Sequence, residues 1–165
     1  LELPCTTALA SQLAAPLVCD VWDLCGHAGG RDAQLLFVGR CIDVKIQAVA
    51  PELATALARF DMHASTLSLP WVKSVWQEDF ALRTALRCLD VVMVDGTRGL
   101  VRMCVAFLWL LEKEIVAASS SGTIYEILSD AAYEIDADTI VEASHTLRTI
   151  GTVSLSSLSL YPATR

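Results

Sequence analysis

Three residues near the start of the chain, Cys19, Cys25 and His27, have the side-chain types that bind zinc. Thiolates and imidazoles are the usual zinc ligands, but a structural site needs four of them, commonly in closely spaced pairs. The sequence contains no Cys-x-x-Cys pair. We therefore expect neither a metal nor any other cofactor.

The histidines His27, His63 and His145 could act as general bases, but none stands at motif spacing from a serine or cysteine. The chain also lacks the GxSxG, HExxH and Walker A patterns, which carry hydrolase, zinc-protease and phosphate-binding chemistry. The segment Gly96-Thr97-Arg98-Gly99 is too short to surround a phosphate group. We expect the histidines to lie at the surface or as hydrogen-bonded core residues.

The six cysteines show no regular spacing that would indicate a disulfide framework. Cysteine is among the most often buried residue types when it is reduced. We therefore predict reduced cysteines, three of them within apolar helical patterns. The six are Cys5, Cys19, Cys25, Cys41, Cys88 and Cys104.

The composition limits the partners of the chain. The formal net charge is −7 and the 12 basic residues are scattered, which argues against a nucleic-acid partner. The most apolar run, residues 103–111, falls far short of the roughly 20 residues that span a bilayer, so we predict no transmembrane segment. Residues 3–19 lack the basic start of a signal peptide. We expect an intracellular protein, cytoplasmic or on an organelle, although no residue specifies the compartment.

The apolar fraction is high, with 54% hydrophobic and 19% charged residues. Part of the surface is therefore expected to be covered by another chain or by further residues of the same protein. The chain begins with Leu1 rather than methionine, which also suggests that it is part of a longer protein.

Apolar residues recur at helical spacing through most of the chain, which predicts an all-α fold. Asp32 is a candidate N-cap for the first helix, after Gly29-Gly30. Pro51 suits the first turn of the next helix, because its missing N–H would have no partner there, and Pro70 can open another helix in the same way.

The next two predicted helices are separated by Asp95-Gly96. Leu82, Leu86, Leu89 and Met93 step by four, three and four residues, which predicts an amphipathic helix that Asp95-Gly96 ends. Thr97 then starts the longest helix, whose broad apolar coverage indicates a central position. Its expected buried residues are Leu100, Cys104, Phe107, Leu108, Leu111 and Ile115.

The last third of the sequence predicts two more helices. The composition of residues 119–122 predicts a linker. Thr123 and Glu126 have the spacing of a capping box, so we expect a helix to begin at Thr123. A final helix should follow the cap region of residues 136–139. We predict one helical domain over residues 1–150 and a Ser-rich tail over residues 151–165.

Signature residues of a known family occur in order along this helical pattern. They are Pro51, Pro70, Trp71, Trp76, Arg87, Asp90 and Gly96. A Pro-x-Leu helix, a Pro-Trp with an aromatic residue five positions later, an Arg-x-x-Asp helix and an acidic-Gly turn resemble the C-terminal half of a Rab-GAP TBC domain. A segment similar to the family's closing Ile-Asp-x-Asp extends the resemblance to about residue 145. Cys88 and Ala56 depart from it, standing where the family usually has tryptophan and histidine.

The resemblance implies a multi-helix orthogonal array, and each signature residue also has a structural interpretation. Trp71 and Trp76 are expected to be core anchors rather than ligand contacts. Arg87 and Asp90 lie three residues apart on one helix, so we expect a partly buried pair that ties this helix to its neighbours.

The family's activity implies two catalytic side chains. An arginine from an Ile-x-x-Asp-x-x-Arg motif neutralises charge on the transferred phosphoryl group, and a glutamine from a Tyr-x-Gln-Gly motif orients the attacking water. Such an arginine is worth on the order of 10³ to 10⁵ in rate. In the family the glutamine motif runs into a Leu-x-x-Pro-Leu helix, which residues 13–17 fit.

In this register the chain has Thr6 at the tyrosine, Ala8 at the glutamine and Leu9 at the glycine. Ala8 has no amide to position water, and the arginine motif would lie before Leu1. Val92, Asp95 and Arg98 reproduce the spacing of that motif, but at the acidic-Gly turn, so we expect Arg98 to be a surface residue. We expect no catalytic residue in this chain.

Three functions follow as hypotheses. The first is a catalytically inactive relative that binds a Rab-like small GTPase or a related partner. The second is a structural subunit that has reused TBC-like helices inside a larger assembly. The third is the C-terminal lobe of an active Rab GTPase-activating protein, against which Ala8 counts.

Overall fold

The computed structural model describes residues 30–76 and 78–149. These residues form seven α-helices and, within those two ranges, no strand, so the all-α prediction is confirmed. None of the described helices is long and apolar enough to cross a membrane. The helices are α1 (Gly30–Val49), α2 (Pro51–Ala58), α3 (Ala64–Ser74), α4 (Leu82–Leu110), α5 (Glu112–Ala117), α6 (Ser121–Glu134) and α7 (Ala137–Thr149). The division at residue 150 stays a prediction.

The first three helices confirm one of the predicted starts and correct two. Pro51 opens α2, as predicted. Helix α1 begins at Gly30, so Asp32 lies in its first turn rather than at the N-cap, and both are positions that aspartate favours. Pro70 lies inside α3 and does not open it. A proline there removes one backbone hydrogen bond, a cost that the packing of α3 has to offset.

Helix α3 ends in an unusual turn. Val75 and Trp76 both have positive φ angles, of 49° and 60°, a region that residues other than glycine rarely adopt. The Trp76 N–H donates a hydrogen bond of 2.9 Å to the Trp71 carbonyl, which closes the helix. The turn places Trp76 in the core, where its side chain is 1% exposed.

Helix α4 is divided at Gly96, where φ is 59° and ψ is −144°. Only glycine adopts this region at low cost, so the prediction that Asp95-Gly96 ends a helix is confirmed. The second half, residues 97–110, is buried on nearly every side and forms the centre of the fold. All six of its predicted buried residues are indeed buried, although the last two, Leu111 and Ile115, lie beyond the end of α4.

The last two helices have side-chain caps that fix their starts. Ser120 is the N-cap of α6 and its hydroxyl accepts a hydrogen bond of 3.1 Å from the Thr123 N–H. The predicted start at Thr123 was therefore late, because a serine three residues earlier already satisfies that N–H. The carboxylate of Asp136 accepts from the Asp138 N–H at 3.0 Å, in the predicted cap region of α7.

Helices α1 and α4 form the middle of the molecule. Helix α7 packs most extensively on α4, and α3 packs on α1. Helix α2 lies between α1 and α5. Burying apolar residues from all these helices in one cluster provides most of the free energy that holds them together.

Candidate functional site

Four aromatic rings pack against one another in the core. Trp71 contacts Phe80 and Phe107 edge-on, with ring centroids 5.6 and 5.2 Å apart, and Phe80 lies 4.8 Å from Phe107. Trp76 meets Phe80 at 6.2 Å. Edge-to-face pairs of this kind add to the free energy gained by burial. Trp71 and Trp76 therefore anchor the core, as predicted, and we assign them no contact with a partner's reacting groups.

Arg87 connects α4 to α7. Its guanidinium donates to Asp138 through Nε at 3.1 Å and Nη2 at 3.0 Å, and to Asp90 through Nη1 at 3.3 Å. Arg83 also reaches Asp138, at 3.5 Å. The hydrogen bonds to Asp138 and then to Asp90 raise the pKa of Arg87. The prediction that Arg87 ties its helix to a neighbour is confirmed through Asp138.

The prediction that the Arg87–Asp90 pair is partly buried is wrong. The two side chains are 45% and 63% exposed. The sequence spacing identified the pair within one helix, but the carboxylate that carries the connection, Asp138, stands on a different helix. Its place in the Ile-Asp-x-Asp segment was the only sequence signal for it.

The residues around Gly96 do not form a catalytic arginine site. Asp95 pairs with Arg102, a contact that joins the two halves of α4, and both side chains are mostly buried. Arg98 is exposed, as predicted. Burial, and then the charge of Arg102, lower the pKa of Lys45 on α1. Within the Val92, Asp95 and Arg98 spacing, Asp95 therefore forms an ion pair across the kink, while Arg98 is exposed.

The described cysteines are reduced and buried, as predicted for them. Burial raises the pKa of the Cys41 thiol to about 11 and that of Cys88 to about 12, and it also raises the pKa of Cys104 well above its ordinary value. These buried thiols are protonated at neutral pH and shielded from water, which makes them poor nucleophiles. Within residues 30–76 and 78–149, no cluster of histidine, cysteine and acidic residues could hold a metal ion.

The described histidines, His63 and His145, are exposed. The remaining candidates lie outside the described residues: the finger positions Thr6, Ala8 and Leu9, and Cys19, Cys25 and His27.

The first half of α4 exposes its largest apolar residues. Leu82, Leu86 and Met93 are 61%, 45% and 56% exposed, and Leu89 between them is half-buried. We call these four residues the α4 stripe. The sequence predicted an amphipathic helix on this spacing, but its buried face consists of smaller residues instead. They are Thr84, Ala85, Cys88, Val91 and Val92.

The signature residues fall into three places in the structure. Pro70 is exposed beside the aromatic cluster that contains Trp71 and Trp76. Arg87 and Asp90 lie on α4 next to Asp138, and Gly96 forms the kink further along that helix. Pro51 is exposed at the start of α2. The structure therefore does not bring the signature residues together into one pocket. The sequence analysis did not identify Phe80 as a member of the aromatic cluster or Asp138 as the partner of Arg87.

The sequence matches the family model for the RabGAP TBC domain over residues 30–156. This range contains every signature residue. None of the solved protein structures matches the chain.

Three relatives also match part of the chain, at low sequence identity. The chain is 28% identical over 93 residues to the TBC domain-containing protein C4G8.04 of Schizosaccharomyces pombe, which is 56% of this chain and 12% of that protein. It is 26% identical over 86 residues to human Small G protein signaling modulator 3, covering 52% of this chain and 12% of the relative. With the Putative GTPase-activating protein AN11010 of Emericella nidulans it shares 26% over 91 residues, 55% of this chain and 8% of that protein.

Proposed function

The chain belongs to the RabGAP TBC domain family, and from this premise we propose that it binds a Rab-like small GTPase, or a related protein partner, without accelerating GTP hydrolysis. Two parts of the proposal have separate support. The lack of catalysis rests on Ala8, and the binding role rests on the α4 stripe.

The catalytic part concerns the residue that positions water. In the register set by residues 13–17, Ala8 stands where an active family member carries glutamine. A methyl group neither donates nor accepts a hydrogen bond, so it cannot orient a water molecule for in-line attack.

The binding part is carried by the exposure of the α4 stripe. Leu82, Leu86 and Met93 each leave about half or more of their surface in contact with water. Single exposed apolar residues are ordinary, but a row of them along one helix is typical of a surface that another protein covers. Arg83 and Arg87 flank the stripe and supply a polar rim, which is the arrangement common in interfaces.

The experiment measures binding and hydrolysis separately. The chain is immobilised and tested against a panel of Rab GTPases in their GTP-bound and GDP-bound forms, and the same mixtures are assayed for phosphate release. We expect binding to at least one GTP-bound form, with hydrolysis at the intrinsic rate. A double variant, Leu86→Gln with Met93→Gln, should weaken binding about tenfold or more, since central apolar contacts carry most interface energy.

Leu36→Gln is the matched control, because Leu36 is 61% exposed but lies on α1. This variant should bind as the unsubstituted chain does. Hydrolysis well above the intrinsic rate would contradict the non-catalytic assignment. Binding that the α4 variants leave unchanged would contradict the role of the stripe.

The structural-subunit hypothesis has its own supporting observation, the 54% hydrophobic composition together with the exposed stripe. It predicts that no Rab GTPase binds and that the isolated chain associates with itself or with other proteins in size-exclusion chromatography. A monomer that elutes alone and remains soluble at high concentration would contradict it.

A further inference from the structure

A second surface, separate from the α4 stripe, lies between α3 and α6. It is a groove of 260 Å³ lined by residues of α3, of the segment that follows α3, and of α6. Its floor consists of buried apolar side chains and its rim of exposed aromatic, prolyl and acidic ones. We call it the α3–α6 groove. The residues used below are Pro70, Trp71, Glu78, Asp79, Tyr125 and Tyr133.

The rim exposes two tyrosines from one face of α6. Tyr125 and Tyr133 are 55% and 65% exposed, although both are large amphipathic side chains. Trp71, only 6% exposed, forms part of the floor between α3 and α6, and Pro70 stands beside it in contact with water. Tyrosine and tryptophan around a groove offer a large contact area at a low entropic cost, which is why they are enriched in binding sites.

The part of the groove formed by the segment after α3 is acidic. Glu78 is exposed and Asp79 is half-buried, and neither belongs to an ion pair among the described residues. Two carboxylates outside these ion pairs give this part of the groove a negative potential. A guanidinium or ammonium group entering there would gain charge-assisted hydrogen bonds, whereas an acidic group would be repelled. The charge of the groove therefore selects a basic occupant.

Two contacts within the chain fix the walls of the groove relative to each other. The Ala81 N–H donates to the Ala132 carbonyl at 3.4 Å, which joins the segment after α3 to α6. The edge-on contact of Trp71 with Phe80 holds the floor to the same segment. A preformed site loses little conformational entropy on binding, so a short segment can bind it.

The spacing of the tyrosines sets the length of the occupant. Tyr125 and Tyr133 are eight positions apart on a helix, which corresponds to about 12 Å. An extended chain rises about 3.3 Å per residue, so roughly four residues span this distance.

We propose that the α3–α6 groove binds an extended segment of a partner protein in which leucine or proline side chains pack against Tyr125, Trp71 and Tyr133, and an arginine or lysine meets Glu78 and Asp79. The site is distinct in sequence from the stripe that carries the proposed function. A chain that binds no GTPase can still bind such a segment, so the two proposals fail independently.

The test uses a peptide set of defined composition. Fluorescently labelled ten-residue peptides carry two arginines and two leucines or prolines at every relative spacing, in a Gly-Ser background, and a second set has glutamate in place of arginine. Binding to the intact chain is followed by fluorescence anisotropy. We expect at least one arginine peptide to bind, and no glutamate peptide to do so.

Two variants test the groove itself. Glu78→Gln with Asp79→Asn should weaken the binding peptide about tenfold and reduce its dependence on salt. The matched control is Glu126→Gln with Asp130→Asn, which changes the charge equally on exposed positions of α6 outside the groove and should bind normally. Tyr125→Ala with Tyr133→Ala should weaken binding by a similar factor, whereas the phenylalanine substitutions should retain it, which separates loss of contact from loss of folding.

Three results would overturn the proposal. One is the absence of binding by every arginine peptide. Another is binding that both sets of groove variants leave unchanged. The third is a dimer, seen by sedimentation, that dissociates in the tyrosine-to-alanine variant, because the occupant would then be a second copy of this chain.

Discussion

The aromatic cluster and the α4 stripe hold the largest apolar side chains of their regions, yet one is closed to water and the other is open. Trp76 and Phe107 are each 1% exposed, whereas Leu82 is 61% exposed. The rings fill space where α3, the segment after it and α4 meet. The stripe lies on the face of α4 that points away from such a meeting point.

The two faces of the first half of α4 show why hydrophobicity alone did not identify the buried one. Leucine and methionine occupy the exposed face, while Ala85, Cys88 and Val92 occupy the buried one. Small side chains let the backbone of a neighbouring helix approach closely, and close approach buries more of both helices. The comparison teaches that side-chain size, rather than apolar character, decides which face is buried here.

The largest expected difference is in thiol reactivity across α4. Cys88 is 1% exposed and burial raises its pKa to about 12, so its thiolate is both shielded and scarce. A cysteine introduced by Leu86→Cys would be accessible. We expect iodoacetamide at pH 8 to modify position 86 faster than Cys88 by on the order of 10³ or more, because Cys88 reacts only through unfolding. Peptide mass spectrometry gives both rates in one sample.

In a denaturant the difference between the two positions should disappear, since both thiols then have ordinary pKa values. Rapid modification of Cys88 in the folded chain would show that this face of α4 is open.

Removing a ring from the aromatic cluster should have the next largest effect. Phe107 contacts Trp71 and Phe80, and Phe107→Ala leaves a cavity that these rings cannot fill. We expect a loss of about 3–5 kcal/mol in the free energy of unfolding, measured by urea denaturation. Phe107→Leu, which keeps much of the volume, should lose less. Equal losses in the two variants would mean that the cluster is not closely packed.

The kink between the two halves of α4 should be sensitive to a single methyl group. Gly96 has a φ of +59°, and Gly96→Ala places a Cβ in a conformation that alanine avoids, although no atom lies within 4 Å of it. We expect a cost of about 1–3 kcal/mol in urea unfolding from backbone strain alone. Gly122→Ala is the control, because its Cβ would lie 3.6 Å from the Ser120 hydroxyl, an ordinary contact, at the start of α6. A stable Gly96→Ala chain would show that α4 can straighten.

Much of the fold could be predicted because local rules decide it. The helical periodicity, Pro51 at the start of α2 and glycine at the kink each depend on a few neighbouring residues. The errors concern positions that tertiary contacts decide. Pro70 is tolerated inside α3, where packing offsets its missing hydrogen bond, and Ser120 caps α6 ahead of the predicted start.

The candidate site was harder to predict for the same reason. The spacing within α4 predicted that Arg87 pairs with Asp90. The shorter hydrogen bond of Arg87 is to Asp138, which lies far along the chain. The α3–α6 groove was not predicted at all, since its tyrosines lie some fifty residues after Trp71. A single sequence carries no direct signal for such pairs.

The smallest expected effect is the loss in the free energy of unfolding when a residue of the α4 stripe is replaced by a polar one. Leu86→Gln exchanges one half-exposed side chain for a polar one, so we expect a change of less than about 0.5 kcal/mol in urea unfolding. Val92→Thr, on the opposite face and 2% exposed, should lose about 1–3 kcal/mol because it buries a hydroxyl.

A similar loss in both variants would mean that other residues of the chain cover the stripe, and the stripe would then belong to the core. If Leu86→Gln leaves the folded chain as stable as before, the leucine contributes little to folding. A row of large apolar residues that folding does not need has then to be explained by what binds there.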